Sequence, residues 1–124
     1  MKFKADDFKM TIEQMQAILA QIQVLKSETQ NLEYKTAAKG EPHKLYDTLS
    51  SFSNQDEGGI IVFGIDEKHG FDEVGVGDVN ALQNSISNQC LEMEPKVRPL
   101  ISHFHRDEDD KDFLFVEIPG LDIS

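Results

Sequence analysis

Tryptophan is absent from this chain, and cysteine occurs once, at Cys90. A lone cysteine excludes an internal disulfide, so packing must hold the fold, and a single thiol fits a reducing, cytoplasmic compartment. Long apolar runs are missing too: nothing approaches the roughly 20 residues of a membrane span, so no membrane partner is expected. The N-terminus, MKFKADDFKM, is charged throughout and shows neither the apolar core nor the small-residue cleavage site of a secretory signal. Basic residues are scarce, 12 against 23 acids, for a formal net charge of −11. That balance excludes nucleic acid held by a general basic surface, because phosphate binding is largely electrostatic.

The charge is unevenly spread. Residues 1–44 hold seven Lys and six acids, net +1, and residues 45–124 hold five basic and seventeen acidic residues, net −12. A phosphate backbone would therefore meet the N-terminal third, where Lys26, Lys35, Lys39 and Lys44 are the candidate contacts. The competing reading is a scattered, solvated set of lysines.

The 124 residues suffice for one domain with a modest core. Residues 1–26 read as an amphipathic helical extension and 27–124 as the domain proper. In the extension, Ile12, Met15, Ile18, Leu19, Ile22 and Leu25 recur at helical spacing. Thr11 and Gln14 form a capping box, and Met10 can pack on Met15 as a hydrophobic staple. Leu32-Glu33-Tyr34-Lys35 alternates as a short strand, which puts Glu33 and Lys35 on one face. A second helix is expected from Glu41-Pro42, with Leu45, Leu49 and Phe52 as its stripe.

After Gly58-Gly59, the run Ile60 to Ile65 reads as a central strand buried on both faces. A turn at His69-Gly70, a short strand near Val74 to Val76, and a third helix from Asp78 limited by Pro95 follow. Val97 to His105 and Phe113 to Ile118 form a hairpin with an acidic tip, Pro99 suiting an edge strand. The expected fold is α+β: a mixed twisted sheet of about five to six strands packed with two to three helices. The chain stops at Ser124, just after Pro119-Gly120, without a closing element, and a longer parent protein is expected.

Taken in order, Glu28-x4-Glu33-Tyr34-Lys35, Leu49-Ser50-Ser51-Phe52-Ser53-Asn54, Gly58-Gly59, Ile61-Val62-Phe63-Gly64-Ile65-Asp66 and Gly75 resemble the Schlafen/AlbA-like, or divergent AAA, domain. Tyr34 stands where that pattern has phenylalanine and Ser53 where it has alanine. The resemblance implies a nucleic-acid-binding domain of bacterial transcription-regulator-like proteins. In the Schlafen branch it implies a metal-dependent endoribonuclease with two glutamates and an aspartate. Those roles fall on Glu28, Glu33 and Asp66, with Glu67 reached by one residue of slippage. Clustered carboxylates repel one another unless a proton or a hard cation such as Mg2+ or Mn2+ intervenes. Lys35 would steady a phosphate oxygen beside them. Surface acids in an acidic chain are the plainer reading.

Other signals are weaker. Gly58 and Gly59 would let a phosphate approach the backbone, although a glycine pair between helix and strand is commonly turn chemistry. Asn54 is either a nucleic-acid contact or a helix cap. Gly75-Val76-Gly77 lacks a third glycine and no Walker A sequence occurs, so ATP is not supported. His103 and His105 share a strand face without a spaced third ligand. Three readings follow: a DNA- or RNA-binding domain, a metal-dependent endoribonuclease, or an interaction module that uses the first helix against its own domain or a second copy.

Overall fold

Three apolar stripes and one strand buried along most of its length determine how the layers stack in the computed structural model, which describes residues 9–27, 31–36, 45–55, 57–94 and 96–120. Helix α1 (Ile12–Leu25) begins where expected, with Thr11 and Gln14 bonded reciprocally as a capping box. It ends at Lys26, which adopts a left-handed conformation. Strand β1 (Leu32–Lys35), helix α2 (Leu45–Ser53), strands β2 (Gly59–Phe63), β3 (Ile65–Asp66) and β4 (Asp72–Glu73), helix α3 (Val79–Glu92) and strands β5 (Leu100–Arg106) and β6 (Lys111–Ile118) follow. Among the described residues no helix is long and apolar enough to cross a membrane.

The four-stranded sheet has the order β1-β2-β6-β5, with β1 parallel to β2 and the other pairs antiparallel. A two-stranded sheet joins β3 to β4. Against the expected five to six strands and two to three helices, the described residues form six strands and three helices, the strands divided between two sheets rather than gathered in one. Alternation sends Ile61 and Phe63 of β2 with Leu114, Val116 and Ile118 of β6 to one face, where α2 and α3 cover them. Val62, Phe113, Phe115 and Phe104 face the other way, under Met15, Leu19 and Ile22 of α1. The stripe of α1 is thus directed at its own sheet. The segment before it is tied down as well, since the Met10 N–H donates to the buried Ser102 hydroxyl at 3.0 Å.

Three expectations change at their edges. The apolar run does not continue from Ile60 to Ile65: Gly64, at φ 112°, breaks it into β2 and β3. A side chain there would meet the Phe113 ring at 2.8 Å, so this bend requires glycine. The short strand expected near Val74 to Val76 sits earlier, at Asp72–Glu73, because the Val74 and Gly75 N–H groups both donate to the Gly64 carbonyl instead of extending a ladder. The hairpin strand expected from Val97 starts at Leu100, beyond Pro99, and its partner already begins at Lys111. The expected helix start at Glu41-Pro42 and the limit at Pro95 lie outside the described residues.

Candidate functional site

The parallel pairing of β1 and β2 brings the ends of both strands to one place. Leu32 and Tyr34 pack into the cluster beneath α1, so alternation turns Glu33 and Lys35 to the opposite face. The chain leaving β2 is held there by the Gly64 N–H, which donates to the Lys35 carbonyl at 2.8 Å. It bends at Gly64 and presents Asp66, Glu67 and Lys68 beside the end of β1. Glu33, Lys35, Thr36, Asp66, Glu67 and Lys68 line one open depression of about 250 Å³. Glu33, Lys35 and Asp66, three of the residues singled out from the sequence, thus line the same depression.

The turn that closes this depression has its own supports. Glu67–His69 form a single 3₁₀ turn, and His69 Nδ1 lies 2.7 Å from Asp66 Oδ2, with the carboxylate as acceptor. From α1, the Gln23 side-chain amide donates to the Phe71 carbonyl at 2.8 Å and the Lys26 ammonium to the Gly70 carbonyl at 3.2 Å. Phe71 adopts φ 60° and meets Tyr34 edge-on, with ring centroids 5.5 Å apart. Lys26, a predicted phosphate contact, is thereby fixed at the same turn. The sequence places a turn at His69-Gly70 but gives Lys68 and His69 no site role, since a three-residue turn carries no periodic signal and only the Lys-His-Gly composition marks it.

Other predicted residues are not gathered here. Gly58 and Gly59 are buried at the opposite end of β2. A side chain on Gly58, at φ 69°, would fall 2.0 Å from the Ile118 carbonyl oxygen, and one on Gly59 would meet the Phe52 ring at 2.7 Å. The glycine pair serves close packing within the chain. Asn54 is exposed at the end of α2, where its N–H donates to the Ser50 carbonyl. The side chain that caps this corner is Asn31, which donates to the Gly58 carbonyl at 2.7 Å. Glu28, Lys39 and Lys44 lie outside the described residues.

The oxygen donors of Glu33, Asp66 and Glu67 are of the kind that Mg2+ or Mn2+ prefers. Among the described residues no group of three histidine, cysteine or acidic side chains is arranged to hold a metal ion. Cys90 is buried, and burial pushes its thiol up to about 11, which removes it from thiolate chemistry at neutral pH.

Charge is most densely paired on the β5–β6 hairpin. Arg106 is bidentate to Asp109 at 2.9 and 2.7 Å, reaches Glu73 at 2.9 Å, and lies over the Phe113 ring at 5.1 Å. The Lys111 ammonium donates to the Glu73 carbonyl at 2.7 Å. These bonds clamp β4 onto the hairpin, and the hydrogen bond from Arg106 holds the Asp109 carboxyl below its usual range.

Comparison with known proteins finds one family. The model described as Schlafen, AlbA_2 matches residues 28–122, starting just after α1 and running through β6. No curated protein and no solved structure matches.

Proposed function

The chain belongs to the Schlafen, AlbA_2 family, and from that premise we propose that it binds RNA or DNA through the turn at residues 66–70 and the end of β1. The observation that carries this reading is the placement of Lys35 and Lys68 on one depression, with Lys26 bonded to the carbonyl of Gly70. Three of the chain's 12 basic residues thus gather around one turn of a strongly acidic molecule. An exposed lysine suits a phosphate oxygen as a mobile point charge. The test is anisotropy of a labelled RNA hairpin and a DNA duplex at low ionic strength. Lys35→Gln and Lys68→Gln are each expected to weaken binding several-fold, regardless of base sequence. Binding that is indifferent to both substitutions would place the contact elsewhere.

A second reading is supported by the acids on the same depression. Glu33 and Asp66 share it with Glu67 and Lys35, which is the side-chain chemistry of metal-assisted phosphodiester hydrolysis. Together with Glu28 they would hold Mg2+ or Mn2+, which supplies a Lewis acid and a more acidic water when bound. Within this chain, Lys35 would neutralise a phosphate oxygen and His69 would orient the Asp66 carboxylate. Mn2+-dependent cleavage of structured RNA is then expected to be lost in Glu33→Gln and Asp66→Asn while RNA binding is retained. Cleavage that survives both substitutions rejects the site.

A further inference from the structure

Register places four side chains in one row across the whole sheet. Leu32 lies opposite Ile60, Ile60 opposite Glu117, and Glu117 opposite Leu100. The neighbouring row, Tyr34, Val62 and Phe115, is buried beneath α1. The outer row is only half-buried, because α1 leaves this end of the face uncovered. Two depressions adjoin above it. One, of about 650 Å³, lies between Met10, Ala17 and Ile18 and the Ile60–Glu117 pair. The other, of about 330 Å³, runs from the same pair over Leu100, Ile118 and Pro119. Lys9 also lines the first and Glu57 the second.

Glu117 is the anomaly in this row. Burial raises the pKa of its carboxyl, and it makes no hydrogen bond or ion pair with any described residue. A carboxylate drawn partly out of water between Ile60 and Leu100 costs stability unless a cation meets it. For the fold alone, leucine would serve better at this position. The apolar flanks disfavour a hydrated inorganic ion and suit a cation carried on an apolar chain.

We infer that the groove docks an extended peptide segment of a partner protein, with a Lys or Arg on Glu117 and apolar residues on Ile60 and Leu100. Side chains two apart on an extended segment point the same way about 7 Å apart, against the roughly 5 Å between residues facing across neighbouring strands. A long Lys or Arg side chain can span that difference, so the motif reads apolar-x-Lys/Arg-x-apolar. The site lies at the end of β1 and β2 remote from Lys35 and Asp66. It is therefore independent of the nucleic-acid reading.

The test uses the full chain and a labelled peptide, Ser-Leu-Ser-Lys-Ser-Leu-Ser, followed by anisotropy and amide NMR. Controls replace its Lys by Glu, or both Leu by Ser. Binding is expected to fall about tenfold or more with either control peptide and with Glu117→Gln, the order expected for losing a charge-assisted contact or, with both Leu replaced, two buried apolar side chains. Shifts are expected to centre on Ile60, Leu100 and Glu117. Glu117→Gln removes a half-buried charge without removing volume, so the fold is retained; Leu100→Gln gives a second reading of the same groove. Equal binding of all three peptides, or shifts confined to residues 66–70, would overturn the proposal. Binding that emerges only after residues 1–8 are deleted would make the chain itself the occupant and would also overturn it.

Discussion

On β5 and β6 two imidazoles share one carboxylate oxygen. His103 Nε2 and His105 Nδ1 lie 2.7 and 2.8 Å from Asp112 Oδ1. The hydrogen bond to Asp112 raises the pKa of His105 above 6.5, against a smaller opposing effect of burial. For Asp112, burial acts upward, yet the bonds from His103 and His105 together hold its pKa below 3.8. The raised histidine contributes stability that is complete below its unfolded pKa and lost as pH rises through the folded one. The lowered aspartate contributes above its unfolded pKa and loses that contribution as pH falls through the folded one. Both are in force between those limits. The difference in Tm between the native chain and Asp112→Asn is therefore expected to be larger at about pH 6 than at about pH 8. A difference that is flat across that range would show the imidazoles to be bystanders. That His103 and His105 share a face follows from strand alternation alone. Their partner depended on register, since a four-residue tip at 107–110 sets His105 opposite Asp112. The same holds for Asp66, whose nearest partner, His69, is supplied by a turn too short to have a pattern.

Among the elements, α1 carries the largest consequence. It precedes the family match, yet Met15, Leu19 and Ile22 cover Val62, Phe104, Phe113 and Phe115. At about 1.5–3 kcal/mol for each large apolar side chain, those three residues contribute on the order of 5–9 kcal/mol as an upper bound. That is comparable to the roughly 5–15 kcal/mol of a whole domain. A chain beginning at residue 28 is expected to lose native packing, visible as collapsed NMR dispersion and dye binding to exposed apolar surface. A well-dispersed spectrum from that truncation would mean the sheet face tolerates water. The long elements were legible because their signals are long: a capped stripe for α1, a start at Asp78 for α3, whose carboxylate accepts from the Ala81 N–H, and an apolar run for β2. The break at Gly64 was not, because a glycine in an apolar run reads as part of the strand until the Phe113 ring is known to lie above it. Nor was β4, whose two residues are placed by the Gly64 carbonyl and by the Arg106 and Lys111 clamp on Glu73.

For the whole molecule, electrostatics limits how a polyanion can bind. A net charge of −11 repels nucleic acid at long range, whereas the lysines of the proposed site, Lys26, Lys35 and Lys68, would attract it locally. Salt weakens the local contacts and also screens the repulsion, over a Debye length of about 10 Å at 0.1 M. The slope of log affinity against log salt is then expected to be no steeper than about −3, the limit for three phosphate contacts. A steeper slope measured by anisotropy would require further cations.

The Gly64 carbonyl, which accepts from both Val74 and Gly75, gives the 65–73 hairpin a fixed stem. Residues 70 and 71 are pinned to α1 by Lys26 and Gln23, but 67–69 form the outer turn and bury nothing. Substitutions at those three positions are therefore expected to change the side chains offered at the depression at little cost to the fold.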